Sequence, residues 1–315
     1  VKVAVLAEFY PSRADPVLGI WAHRQALAAR DAGAEVRVLV LHRLVPPRAS
    51  LAQGPAGAAM ALGRLIREPR EQVRDGLTIT YVPYISPPRD RGYPSWAAWA
   101  APTLAAAVHR LRRTFPFDLV HAHNAVPAGD AIRRVLAGSR LRETPLIVSV
   151  HGGDVLHTAN RGPAGAQAVA RGLGAARLVL ANSLGIAELA RARGAGETRV
   201  VHLGASPGSG AQPPARRDGT PVLVTVGHLI ARRRHADVLR ALSVLGQRHP
   251  ALRYSIVGEG PERVALEGLA ARLDVADRVE FHGQLAPEAA IDEARRCTLF
   301  VMPSTEEAFG VAYIE

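Results

Sequence analysis

The chain is almost without lysine: of its 39 basic residues only Lys2 carries an ammonium group, and the rest are arginines. Cysteine is nearly absent too. The one thiol, Cys297, lies in the apolar run CTLFVMPS and has no second cysteine to pair with, which excludes an internal disulfide and points to a reducing compartment. Aromatic residues make up 5% of the chain, and Ala and Val carry much of the apolar content. No Asp-x-Asp pair occurs, and no His/Cys/Asp cluster has metal-ligand spacing. VKVAVLAEFYPS shows no basic leader and no small-residue cleavage site, so no signal peptide is read there. The longest weakly polar stretch, SWAAWAAPTLAAAVHRL at 95–111, holds Pro102 and is too short in its uninterrupted part to span a bilayer. Zinc spacings, interleaved basic and aromatic residues and basic heptad helices are all missing, so no nucleic-acid module is expected.

What is present is a chain of 315 residues, 48% of them hydrophobic, enough for two domains with cores of their own. The net charge of +11 reads in two ways. It can mark attraction to phosphates, in nucleotides or at an anionic membrane face, or a general preference for arginine with no partner behind it.

Strand-like and helix-like segments alternate. VKVAVLAEF (1–9), EVRVLVL (35–41), LTITYVPYI (77–85), FDLVHAH (117–123), PLIVSVHGGD (145–154), RLVLANS (177–183) and TRVVHLG (198–204) read as strands, with a helix over 20–33. A stretch rich in Gly, Pro and Ser follows. The pattern then restarts with strands at 221–229, 253–261, 277–285 and 298–304, separated by helices. The expected fold class is therefore α/β, with parallel sheets in two Rossmann-like domains facing across a cleft. Residues 1–205 form the first, 206–220 a linker and 221–315 the second. In such sheets ligands bind beyond the carboxyl ends of the strands.

Four motifs fall at those ends. In STEEAFGVAYIE, Glu307 sits in a turn and VAYIE reads as the start of a helix. Phe309, Gly310 and Val311 would then offer backbone N–H groups to an anion, with Glu315 a turn further on. Two glutamates eight apart also arise by chance, as a solvated loop acid and a helix acid. In VGHLIARRRH, Gly227 lets a ligand approach the backbone and Arg232, Arg233 and Arg234 can neutralise a diphosphate, unless they form only a solvated basic turn. In SVHGGD, His151 ends a strand and is followed by two glycines and Asp154; core histidines capped by backbone look alike. His121 and His123 end the neighbouring strand, and at least one is expected to be structural. Gly19 opens the first helix, as an N–H site for a phosphate or as a tight turn.

With these motifs the chain resembles the retaining glycosyltransferases of the GT-B fold numbered family four. EAFGVAYIE matches the family's E-x7-E, HGGD its HGxD, and VGHLIARRRH its G-R-L-x-x-x-K-G loop. IVGEGPER and VEFHGQL match two further segments. The resemblance implies catalytic roles for His151 and Glu307 and donor binding by Gly227, His228, Arg233, Gln284, Leu285, Phe309, Gly310 and Glu315, the last on the nucleotide ribose. It places Gly19 and Asp154 in an acceptor or phosphate loop. His228 stands where the family has Arg, Arg233 where it has Lys, and Arg234 where it has Gly. The family continues beyond E-x7-E with further strands and helices, so the second domain is expected to be incomplete and the chain truncated.

The implied activity is transfer of a hexosyl or N-acetylhexosaminyl group from a nucleotide diphosphate sugar to a hydroxyl acceptor, saccharide or lipid-linked saccharide, with retained configuration and no metal or other cofactor. Cell-surface polysaccharide, exopolysaccharide or glycolipid synthesis is the expected setting. The location is expected to be cytoplasmic, with a weak anionic membrane contact through RLRR at 110–113, Trp96 and Trp99, or with those residues merely packed and solvated. The alternative function is a non-catalytic nucleotide-binding relative or an inactive fragment.

Overall fold

The computed structural model describes residues 1–315 apart from 13, 14, 16, 47, 68 and 206–218. Most of the expected linker, 206–218, thus lies outside the described residues. Two compact units, Val1–His202 and Leu203–Glu315, divide the chain.

Unit 1 holds β1 (Lys2–Ala7), β2 (Glu35–Arg43), β3 (Glu71–Arg74), β4 (Leu77–Tyr84), β5 (Leu119–His123), β6 (Leu146–Val150), β7 (Leu178–Ala181) and β8 (Thr198–Val200). They form one sheet in the order β3-β4-β2-β1-β5-β6-β7-β8. Every pairing is parallel except that of β3 with β4. Val3, Val5 and Ala7 share a buried face with Val36, Val38, Val40, Leu77 and Ile79, closed by Ala22 and Ala26 of the helix Ile20–Asp31. Ala4, Leu6, Leu39 and Leu41 are buried on the other face. Covering on both sides is why these strands read as unbroken apolar runs. The edge strand β3, EQVR, has no such run and was not expected. It pairs through a two-residue turn at Asp75 and Gly76, both with positive φ (49° and 78°). Asp-Gly was the available signal for that hairpin.

Unit 2 holds β9 (Val222–Val226), β10 (Arg253–Val257), β11 (Val279–Gly283) and β12 (Leu299–Phe300), all parallel, in the order β11-β10-β9-β12. Helices His235–Leu245 and Arg263–Arg272 contribute Val238, Leu239, Leu242, Leu266 and Ala270 to a core around Leu223, Tyr254 and Ile256. Two expectations need correction. The strand expected over 298–304 keeps two residues, because pairing ends where Val301 N–H reaches Val224 O (2.8 Å) and Pro303 has no N–H to continue it. The helix expected at VAYIE is a single 3-10 turn, Val311–Tyr313, entered through Gly310 at φ 79°. Tyr313 holds it back on the sheet, its hydroxyl donating to Met302 O and its ring meeting Phe300 edge-on at 5.3 Å.

Each sheet has one place where the strand order reverses. In unit 1 it lies between β1 and β5, in unit 2 between β9 and β12. In open parallel sheets, loops leaving the strands at such a reversal part to opposite faces, and ligands commonly bind there at the carboxyl edge.

Gly258, at φ 138°, follows β10 so closely against β9's loop that an added Cβ would lie 2.1 Å from Gly227 O. Gly258→Ala is expected to cost about 2–4 kcal/mol from overpacking and backbone strain together. Gly63, inside the helix Gly54–Arg67, has nothing within 4 Å of such a Cβ. Gly63→Ala is expected to stabilise by about 0.5–1 kcal/mol. Urea denaturation of both variants checks the pair.

Candidate active site

In unit 1 the loops at the β1/β5 reversal, with that of β6, carry a network of buried acids. Asp154, 2% exposed, follows β6 and accepts the N–H groups of Ala125 (3.0 Å) and Val126 (3.3 Å), just past β5. The Tyr93 hydroxyl lies 3.1 Å from Val126 O and 2.6 Å from Glu8 Oε2, and Glu8 immediately follows β1. Arg89 approaches Glu8 Oε1 at 3.4 Å, with its guanidinium over the rings of Phe9, Tyr93 and Trp96. Burial raises Glu8 to about 7 against the pull of Arg89 and Tyr93. Burial also raises Asp154 to about 7, despite its backbone hydrogen bonds. A protonated Glu8 can donate to Tyr93, leaving the tyrosine proton for Val126 O, so the neutral acid completes the chain.

Three histidines stand beside this network. The His123 and His151 rings stack at 5.3 Å and 6°, with His123 Nδ1 3.0 Å from His151 Nε2. One of those two nitrogens carries the proton and the other accepts it. His121 lies 4.6 Å from His123, and its Nε2 meets Ser149 Oγ at 2.7 Å. Burial lowers His121 to about 4 and His151 to about 3, and holds His123 well below the usual imidazole range. All three are neutral at pH 7. His151 Nδ1 has no hydrogen-bond partner among the described residues. Trp21, two residues past Gly19, tilts over the His151 ring at 5.6 Å. Gly19 itself, at φ 72°, presses on the Phe9–Tyr10 peptide, where a Cβ would meet Phe9 O at 2.2 Å.

In unit 2 the β9/β12 reversal brings Arg233 and Glu307 together. Arg233 NH1 donates to Glu307 Oε2 at 2.5 Å, and Arg232 NH1 lies 3.7 Å from the same oxygen. The pair lies over Gly227, where an added Cβ would be in ordinary contact with Arg233 Nε (3.6 Å) and Met302 Sδ (3.8 Å). Thr305 N–H donates to Arg232 O (2.9 Å), tying the two loops. Burial lowers the Arg233 pKa, with Glu307 opposing the shift. Its Nε is buried with no partner among the described residues.

The expected site residues therefore separate into groups. Gly227, Arg233 and Glu307 meet at one strand reversal, and Gly19 and His151 line another. Gln284 and Leu285 follow β11, two strands away from Arg233. His228 is exposed beside Gly227. Phe309 and Gly310 enter a 3-10 turn instead of a helix N-terminus, and Glu315 lies exposed just past that turn. Asp154, expected in an acceptor or phosphate loop, follows β6 and is turned inward to hold backbone. Glu8, Arg89 and Tyr93 were not anticipated. The signal for Glu8 was an acid directly after an apolar strand; Tyr93 and Arg89, some 80 residues on, gave none.

Glu8 holds its proton more tightly folded, at about 7, than in the unfolded chain, where a glutamate titrates at about 4.5. Stability is then lost as pH rises through that window and is constant above it. Glu8→Gln is expected to match the parent near pH 4.5 and to exceed it by up to about 3 kcal/mol at pH 8. Thermal melts at the two pH values check this.

Comparison with known proteins accords with this layout. Residues 19–206 match the glycosyl transferase 4-like domain and residues 211–315 the glycosyl transferases group 1. TuaC of Bacillus subtilis, named as a teichuronic acid biosynthesis glycosyltransferase, is 25% identical over 330 residues, covering 100% of this chain and 78% of that protein. A D-inositol 3-phosphate glycosyltransferase of Streptomyces griseus is 43% identical over 89 residues, 25% of this chain and 18% of that protein. Among solved structures, sucrose-phosphate synthase of Thermosynechococcus elongatus aligns with TM-score 0.72 at 18% identity, over 99% of this chain and 78% of that one. Anabaena HepE, in complex with UDP and glucose, aligns with TM-score 0.65 at 18% identity, over 99% and 76%. The chain belongs to the glycosyl transferase 4-like family and is a GT-B glycosyltransferase of group 1.

Proposed function

We propose that the protein transfers a hexosyl or N-acetylhexosaminyl group from a nucleoside diphosphate sugar to a hydroxyl acceptor with retained anomeric configuration. Unit 2 is the donor half and unit 1 the acceptor half. The observation that carries the reading is the Arg233–Glu307 pair over Gly227. A half-buried guanidinium whose Nε has no partner among the described residues lies against the bare backbone of Gly227 at a strand end. Planar donors of this kind match phosphate oxygens. Without donor, Glu307 occupies the guanidinium in a phosphate's place. With donor, the diphosphate takes over Arg233, and Glu307 turns to the sugar hydroxyls.

Positive charge at the departing diphosphate then comes from Arg233 and Arg232, with no metal required. The departing phosphate accepts the acceptor's proton on the face that it leaves. His151, neutral at pH 7, contributes a hydrogen bond to the sugar and no charge. Glu315 is read as the ribose ligand. TuaC's name supports a place in cell-surface polysaccharide synthesis, and the HepE complexes named with UDP and UDP-glucose make uridine donors the first to test.

Calorimetric titration of UDP, GDP, ADP and their sugar conjugates tests the donor half. One nucleotide is expected to bind selectively. Arg233→Met is expected to weaken it about 10–100-fold. Glu307→Gln is expected to keep or tighten nucleoside diphosphate binding while abolishing sugar transfer, because it frees Arg233 and removes the sugar's ligand. Glu315→Ala is expected to weaken the nucleotide about tenfold without changing affinity for inorganic diphosphate. Transfer is expected to withstand EDTA. Selective nucleotide binding with no turnover on any hydroxyl acceptor would favour a non-catalytic relative, with His228→Arg the first reversion to make.

A further inference from the structure

We infer that His123 is a positioning residue for the transfer: its Nδ1–H holds the His151 ring and fixes the His151 proton on Nδ1, so that His151 meets the sugar as a hydrogen-bond donor. This rests on the transferase reading for what His151 touches, and on geometry alone for where its proton lies.

Strand alternation places the rings. His121 and His123 are two apart on β5 and so point to one face of the sheet. His123 pairs with Ser149 of β6, and His151 follows two residues after Ser149, just past the strand. The helix Ile20–Asp31 lies against this group with Trp21 and Gln25, four apart on one helix face. Ser149 Oγ donates to Gln25 Oε1 (3.3 Å) and therefore accepts from His121 Nε2 (2.7 Å). His121 thus carries its proton on Nε2, and its ring packs 4.6 Å from that of His123.

The bond between His123 and His151 has two possible directions, and they differ in what they leave unsatisfied. His123 Nδ1 and His151 Nε2 are 3.0 Å apart and hold one proton between two neutral rings. The far nitrogens, His123 Nε2 and His151 Nδ1, are both buried without a partner among the described residues. Each neutral ring has one proton, so one far nitrogen must be an N–H with no acceptor. Were His151 the donor, that orphan would be His123 Nε2–H, in a residue 1% exposed, and its desolvation penalty would persist in every state of the protein. With His123 as donor, the orphan is His151 Nδ1–H, in a partly exposed residue at the strand end, where a hydroxyl oxygen of the sugar can accept it. The ring nitrogen that bears the proton is set by the bond the other one makes. An unconstrained neutral histidine favours Nε2–H, so the Nδ1–H form of His151 has to be imposed, and His123 is the group that imposes it.

The test is long-range 1H–15N correlation NMR of the protein carrying 15N-labelled histidine, which reads the proton position in each ring. The His151 signals are identified by their loss in His151→Gln. In the parent, His151 is expected to show a protonated Nδ1 and a bare Nε2, and in His123→Leu the reverse. His123→Asn, whose side-chain amide can donate in place of Nδ1–H, is expected to keep the parent pattern. Turnover is read as UDP release from UDP-glucose. His123→Leu is expected to lower kcat about tenfold while KM changes less than about threefold, and His123→Asn to recover most of that loss. Melting temperatures show whether each variant is folded; should His123→Leu not fold, the parent spectrum still decides. A His151 proton on Nε2 in the parent would overturn the inference. So would an Nδ1 proton that persists in His123→Leu, or an active parent whose kcat His123→Leu leaves unchanged. The spectra need neither donor nor acceptor. A protein that turns over no sugar nucleotide would therefore count against the transferase reading, while the same spectra still decide where the proton lies.

Discussion

The crevice of unit 1 depends on the Asp154 carboxyl taking two backbone N–H groups. Beyond His123 the chain leaves the sheet through Asn124 at φ 74°, and the donors of Ala125 and Val126 have no strand to meet. Buried and unpaired, each would cost about 1–3 kcal/mol. Asp154, arriving from the end of β6, satisfies both and so fixes two strand ends to each other. Tyr93 extends the tie from Val126 O to Glu8 and thus to β1. The helix Pro163–Gly174 closes on the same turn, its Gly172 so near that a Cβ would lie 2.5 Å from Ala125 O. Three strands and a helix are held at one edge by a few polar atoms in a low-dielectric setting, where each bond is strong and each loss costly.

Unit 2 builds its edge differently. Backbone packs on backbone, with Gly258 against Gly227 and Gly260 against Leu229, and Leu229 N–H donating to Glu259 O. That leaves Gly227 bare and brings a guanidinium across it. The two edges differ in electrical character as a result. Unit 1 presents neutral imidazoles and acids whose pKa values burial raises to near neutrality. Unit 2 presents arginines gathered on one glutamate. A mostly uncharged edge suits hydroxyls and a cationic one suits a diphosphate.

Most strands were legible because burial on both faces leaves an apolar run that needs no partner to recognise. The site was legible where chemistry and sequence position coincide. Gly227 follows β9 directly, Arg233 and Glu307 lie in the loops that leave β9 and β12, and the parallel order then brings them together. It was not legible where chemistry is assembled from a distance. Nothing local to Tyr93 or Arg89 predicts that they reach Glu8. The inward turn of Asp154 likewise follows from the unpaired donors of the neighbouring loop, which HGGD does not reveal. The short reach of β12 and the 3-10 turn after Gly310 were misread for a related reason. Apolar residues such as Val301, Met302, Tyr313 and Ile314 fit a strand or helix by pattern, and tertiary contacts decided otherwise.

The excess of arginine carried little information until its partners were known. Asp130, fully buried, draws Arg133 and Arg134 (2.8 and 3.2 Å) and Arg171 (3.6 Å). Arg43 lies over Trp96 while donating to Ser86 Oγ and to the carbonyls of Ser86 and Pro87. Arg263 lies over Phe281 between Glu259 and Glu267. A planar fork can stack and donate at once, which an ammonium cannot, so these sites favour arginine for structural reasons. Such guanidiniums are spent on the fold and do not attract a ligand, whatever the net charge. Arg233 differs because its buried Nε has no partner among the described residues. The location of each guanidinium, and what it leaves unsatisfied, therefore says more about binding than the sum of charges does.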